Sequence, residues 1–200
     1  MKTYYISKRT RIDNPFYLVF ANVVDEEIVA KTLEDIGYFV SQTSTMIDTA
    51  DKNYKEHMDV IYKDEYGTVH YVDVKTSGDK YISLSKTLRT GKLHENSELA
   101  IIYDDRIYFA HTEDVLKYAK QSKFNDMLYV TIGEFMRESF YVVKIDKHLQ
   151  EYRKKQLLLK NNLLDETKYC EIEYAMKLCE DALQENYQKT FGETFSIVAI

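Results

Sequence analysis

The chain has 200 residues, enough for one domain with a full core. A formal charge of -6 excludes a globally basic surface, so any contact with nucleic acid must come from a local patch. Six glycines and one proline exclude long disordered linkers, and two cysteines close together in one late segment exclude a disulfide framework.

Tyrosine occurs 18 times and tryptophan not at all. A tyrosine joins an apolar ring to a polar tip, so it suits cores, interfaces and base stacking alike, and compositional drift is the simpler account of the excess. No apolar run approaches the length of a membrane span, and MKTYYISKRTRIDNPFYLVF lacks a secretory apolar core. The expectation is an intracellular, cytoplasmic chain with no membrane partner.

In chain order, residues 1–22 read as an irregular or short-stranded opening. DEEIVAKTLEDIG then places Val29, Leu33 and Ile36 at helical spacing, with Gly37 as the stop. YFVSQT is a short strand candidate. MDVIYKD and VHYVDVKT read as two strands joined by a turn at Gly67, hence a hairpin over 56–75. KYISLS reads as a further strand, and KTLRTGKLHENSE as loop with a turn of helix. LAIIYDD and RIYFAHT form a second hairpin turning at Asp104 and Asp105. TEDVLKYAKQ is a short helix with Thr112 as its N-cap, MLYVTIG a strand, and YVVKI another. From Asp146 two helices follow, the second holding Cys170 and Cys179 at apolar positions, and FSIVAI ends the chain as a docked strand or tail. The predicted fold is α/β of mixed type: a central mixed sheet flanked by helices over 1–145, plus a C-terminal helical pair over 146–200 that packs on the core. Pairing of two copies through that helical pair, giving a homodimer, is the second reading of it.

YVDVKT raises the question of function. In a strand, residues two apart share a face, so Val72 and Val74 point to a core while Asp73 and Lys75 point the other way. Asp59 opens the preceding strand, and the hairpin makes the two strands neighbours. Two carboxylates, together with the Val74 carbonyl, offer the oxygen ligands that a hard divalent cation needs. An ammonium beside them suits phosphodiester hydrolysis, where a metal activates water and a lysine steadies developing charge. An isolated acid-x-lysine is most often a solvated ion pair, so the upstream acid carries the weight.

MDVIYKDEYGTVHYVDVKT resembles the PD-(D/E)XK nuclease superfamily, the restriction-endonuclease-like fold, with Asp59, Asp73 and Lys75 in the three signature positions. Met58 stands where the family's motif has proline. The resemblance covers residues 25–120 and implies a core of helix, three-stranded meander, helix and further strand; the second helix is poorly formed in SKTLRTGKLHENSE. It implies a DNA endonuclease using Mg, with Mn as a substitute, and RNA as the alternative substrate. It also implies an acid from the first helix near the metal. Of Asp25, Glu26 and Glu27, helical geometry puts Glu26 nearest the line of Val29, Ala30 and Leu33, while a first-turn acid favouring the helix end explains it almost as well.

The implied metal set is therefore Glu26, Asp59, Asp73 and the Val74 carbonyl, with Lys75 acting on water or phosphoryl charge. Lys80, Lys86, Arg89 and Lys92 make residues 75–92 locally basic, a strip for phosphate contact or simply a solvated loop. Thr76, Ser77, Ser83 and Ser85 offer hydroxyls to a nucleic-acid backbone or are ordinary strand-end residues. A binding protein that keeps this fold without turnover, and an unrelated α/β interaction protein with a surface ion pair, are the competing readings.

Overall fold

The computed structural model describes residues 1–6, 19–43, 58–77, 80–85, 87–90, 93–123, 127–167 and 171–200. Lys86, Lys92, His57 and Cys170 lie outside the described residues. In chain order the elements are β1 (Lys2–Ile6), a π-helical segment (Phe20–Asp25), α1 (Glu26–Asp35), β2 (Phe39–Thr43), β3 (Val60–Lys63), β4 (Val69–Lys75) and β5 (Tyr81–Ser85). Next come α2 (Thr87–Thr90), β6 (Ser97–Tyr103), β7 (Arg106–His111), α3 (Thr112–Leu116), β8 (Lys120–Gln121), β9 (Met127–Thr131), α4 (Ile132–Glu138) and β10 (Ser139–Lys144). α5 (Lys147–Thr167), α6 (Ile172–Phe191) and β11 (Phe195–Ala199) complete the chain.

The chain is mixed α/β, and its central sheet has six strands in the order β10-β7-β6-β4-β3-β2. It falls into two compact units, Glu26–Ser44 with Lys55–Ile145 and, separately, Met1–Asp25 with Asp146–Ile200. Residues 1–25 thus group with 146–200, whereas the sequence reading placed them in the core of 1–145. The reason is a strand pair between the two ends of the chain: β1 runs parallel to β11, with Lys2 opposite Phe195 and Ile6 opposite Ala199.

In the larger unit β2, β3 and β4 form an antiparallel meander, and β4 then pairs in parallel with β6. The hairpin expected over 56–75 appears as β3 and β4, turning where Gly67 takes a φ of 81°. α1 packs along β2 and β3. It ends at Asp35, and Gly37 reverses the chain at a φ of 99°, which leaves Ile36 exposed instead of on the buried stripe. The second hairpin forms as β6 and β7, with Asp104 in the left-handed region that short polar side chains tolerate. α3 is only one turn and a half, and its N-cap is His111 without a side-chain cap. Thr112, expected to cap it, is instead fully buried with its hydroxyl 3.1 Å from that of Ser97.

β5, β9 and β8 form a separate three-stranded antiparallel sheet. Its apolar side, from Ile82, Leu84, Leu128 and Val130, joins Leu99, Ile101 and Ala110 of the central sheet in one buried cluster with Val115 and Phe135. α4 is secured by a reciprocal cap between Thr131 and Glu134.

In the smaller unit α5 packs against α6 and against the π-helical segment. Cys179 is buried there as a small apolar residue. Arg153, one of the basic residues of α5, forks onto Asp25 with bonds of 2.9 and 3.2 Å. No helix among the described residues is long and apolar enough to cross a membrane.

Candidate metal and phosphodiester site

β4 alternates as its sequence dictates. Val72 and Val74 are buried on one face, and Asp73, only 2% exposed, is buried on the other. β3 pairs Val60 with Val72, which carries Asp59, the residue before that strand, to a position opposite Asp73. β3 starts at Val60, so the Val74 N–H lies past its end and donates to Asp59 Oδ2 at 2.7 Å in place of a strand carbonyl. The Val74 backbone therefore enters the site through its N–H, where its carbonyl was the group expected as a ligand.

Burial and the nearby Asp73 carboxylate push the Asp59 carboxyl well above its ordinary range, against the pull of Lys75 and of the Val74 N–H. The repulsion of the Asp73 carboxylate and the side-chain interaction between the two groups both add to that rise. Lys75 Nζ forms an ion pair with Asp73 Oδ1. Burial disfavours the Lys75 ammonium, but the charges of Asp73 and Asp59 outweigh it and raise its pKa, and Glu26 adds to the effect.

That last contribution separates the three helix acids. Glu26, buried at 2% exposure, lies close enough for its charge to act on Lys75. Asp25 is taken by Arg153, and Glu27 is half-buried. The four residues singled out for chemistry, Glu26, Asp59, Asp73 and Lys75, all belong to the larger unit. Among the described residues no set of three His, Cys, Asp or Glu side chains converges closely enough to hold a metal ion as they stand. The donor set is nonetheless one that a hard cation fits: two adjoining carboxyls, Asp73 buried and Asp59 half-buried, whose mutual repulsion a divalent charge removes.

The basic strip divides. Lys80 is exposed to solvent. Arg89 directs Nη2 to the carbonyl oxygens of Ala119 at 2.7 Å and Leu116 at 3.5 Å, which closes the end of α3. Ser77 donates to the Ile102 carbonyl, a strand-end bond.

A second polar network lies on the opposite face of the sheet, and sequence spacing did not point to it. Glu98 of β6, fully buried, accepts from Tyr62 of β3 at 3.2 Å and lies 2.6 Å from His70 Nδ1 of β4. His70 Nε2 lies 3.3 Å from Asp64, and the imidazole stacks on the Tyr62 ring. Burial raises the Glu98 pKa while His70 and Tyr62 oppose that rise. The network ties three adjacent strands together behind Asp73. The signal available in the sequence was a glutamate inside the apolar run SELAIIY, but its partners His70 and Tyr62 lie 28 and 36 residues earlier in the chain.

No protein-family model matches this sequence, and no curated protein matches it.

Proposed function

We propose that the larger unit is a divalent-metal-dependent phosphodiesterase acting on nucleic acid, of the PD-(D/E)XK type, with DNA as the substrate. The observation that carries this reading is the pair of adjoining carboxyls, Asp59 and Asp73, with Lys75 on the same strand end. A structural ion pair needs one carboxylate for one lysine. A second carboxyl forced beside the first costs stability in a fold that has no cation there, which is the usual mark of a functional site. The order of elements supports the same reading: a helix, the β2–β3–β4 meander, a short helix, and β6 parallel to β4.

Asp59 and Asp73 would hold Mg or Mn, with Glu26 completing the acidic wall. A bound divalent ion would polarise the phosphoryl oxygens and lower the pKa of water. Asp59 would give up its proton to become a ligand, its position held by the Val74 N–H. Lys75 would leave Asp73 for the phosphoryl oxygens or the attacking water, a short move for an ammonium on a flexible stem.

A second reading, a nucleic-acid-binding protein without turnover, is favoured by the Lys75–Asp73 ion pair, which neutralises one carboxylate without a metal. Incubation with plasmid, branched and single-stranded DNA, with an RNA control, separates the two. The nuclease reading expects Mn-dependent cutting that chelator stops and Asp73→Ala abolishes. Binding with no cutting under any of these conditions supports the second.

A further inference from the structure

We propose that the open face of the β2–β3–β4 meander, on the side of Asp73, is the track along which a nucleic-acid strand reaches the site, with His94 and Lys63 as its phosphate contacts. This rests on the nucleic-acid reading above for the class of partner, and deepens it.

Strand alternation puts both groups on the face of the acids. Tyr71, Asp73 and Lys75 are two apart on β4 and share that face. Tyr71 pairs with Ile61 of β3, Lys63 pairs with Val69, and Phe39 of β2 pairs with Lys63. Paired residues point the same way, so Phe39, Lys63, Ile61 and Tyr71 all lie on the side of Asp73. The opposite face, with Val60, Tyr62 and Val72, is buried. The face of the acids is closed over β6 and β7, where Leu99, Ile101 and Ala110 join the buried cluster. Over the meander it is open: Phe39 is 66% exposed, Lys63 is exposed, and Ile61 and Tyr71 are half-buried. The turn before β6 sets His94 on this face. Its imidazole lies on the Tyr71 ring, with centroids 4.4 Å apart at 24°. Asn96, at a φ of 61°, accepts the Tyr71 N–H and donates Nδ2 to the Val69 carbonyl, so the turn is bonded to the strand that carries Asp73. Leu93 packs against the cluster of Leu99 and Ile101.

A histidine stacked on a tyrosine also anchors a turn by packing alone. Three features favour a ligand. The first is the imidazole itself: His94 is exposed, and among the described residues neither of its ring nitrogens meets a hydrogen-bond or ionic partner, whereas both nitrogens of His70 face carboxylates. The second is charge. Among the described residues no acid pairs with Lys63, and Asp64 beside it is engaged by the Tyr66 and Thr68 N–H groups and by His70. The exposed Glu65 and Glu95 flank the two turns, so the attraction belongs to the two donors and not to a broad basic field. The third is place. His94, over Tyr71, lies one side-chain row from Asp73, and Lys63, opposite Val69, lies two rows away. A row of about 6.6 Å matches about two rises of a nucleic-acid strand, at 3.4 Å for each phosphate. A strand with one phosphate at Asp73 and Lys75 therefore passes His94 and then Lys63. Hydrogen bonds and charge at phosphates hold a backbone in register without reading its sequence.

The test is binding to the full chain in chelator, where cleavage plays no part. Affinity for labelled single-stranded and duplex DNA is read by fluorescence anisotropy over a salt series. Lys63→Ala with His94→Ala should weaken the tighter-bound probe about tenfold or more. Lys63→Ala alone should lower the slope of log affinity against log salt by about one. His94→Gln keeps a donor and should bind better than His94→Ala, while Tyr71→Leu removes the support and should resemble His94→Ala. Mn affinity should stay that of wild type in each. Lys63 is exposed, so its variant folds whatever the His94 variants do, and an unchanged salt slope in it would overturn the track. So would an unchanged double variant, or a His94→Gln variant as weak as alanine. Metal-dependent cutting alongside any of these results would leave the nuclease reading standing, whereas wild type that binds neither probe would remove both.

Discussion

The Asp59 carboxylate accepts the Val74 N–H at 2.7 Å, which holds one acid against the strand whose neighbouring residue is the other acid, Asp73. The bond keeps the two carboxyls adjoining, and burial together with the Asp73 carboxylate pushes the Asp59 carboxyl well above its ordinary range.

Asp59→Asn tests that strain. Asp59 has a raised pKa in the folded protein, so the fold binds its proton more tightly than the unfolded chain does. The stabilising contribution is complete below the unfolded value of about 3.9 and is lost as pH rises through the raised folded value. An asparagine keeps an oxygen for the Val74 N–H and never ionises. In chelator near neutral pH, Asp59→Asn should therefore be more stable than wild type by about 1 kcal/mol, with the gap closing in acid. Thermal melts of both proteins across the acidic-to-neutral range read this directly. A gap that does not change with pH contradicts the buried proton.

Lys75→Ala separates binding from turnover. It removes the ammonium that neutralises Asp73, so Mn affinity should be kept or increased. Cutting of bound substrate should fall about a hundredfold or more, the usual loss for a group that acts on developing charge. Loss of metal binding in this variant would assign Lys75 a purely structural role.

His70→Ala probes the network behind the site. It leaves Glu98 buried with Tyr62 as its remaining partner in that network, a loss of about 1–3 kcal/mol. Urea denaturation should show the loss, while Mn affinity stays near that of wild type because His70 faces away from Asp73. An unchanged urea midpoint would mean that water or rearrangement replaces the imidazole without cost.

Much of the site was legible because its signals are local. The two-residue period of YVDVKT puts Asp73 and Lys75 together, the Gly67 turn sets Asp59 beside them, and the helical period puts Glu26 near the line of Val29 and Leu33, with Asp25 close to the same stripe until its pairing with Arg153 sets it apart. What was not legible depends on distant partners. Nothing near Lys2 announces its neighbour Phe195, so residues 1–25 read as part of the core. Arg89 reads as a phosphate ligand until the end of α3 is brought to it. The π-helical segment before Glu26 has no sequence period of its own, since it is one extra residue wound into an ordinary helical pattern. KYISLS and MLYVTIG read as strands, but their pairing into a separate sheet follows only from the long-range register.

The most direct test of the central claim is a calorimetric titration of Mn into wild type and Asp73→Ala. Wild type should bind saturably with release of protons, as Asp59 ionises to become a ligand. Asp73→Ala should show no binding at this site, because one carboxyl fixes a hard cation poorly. Equal binding by the two proteins, or none by wild type, would contradict the account and leave Asp73 and Lys75 as a buried ion pair at the end of a strand.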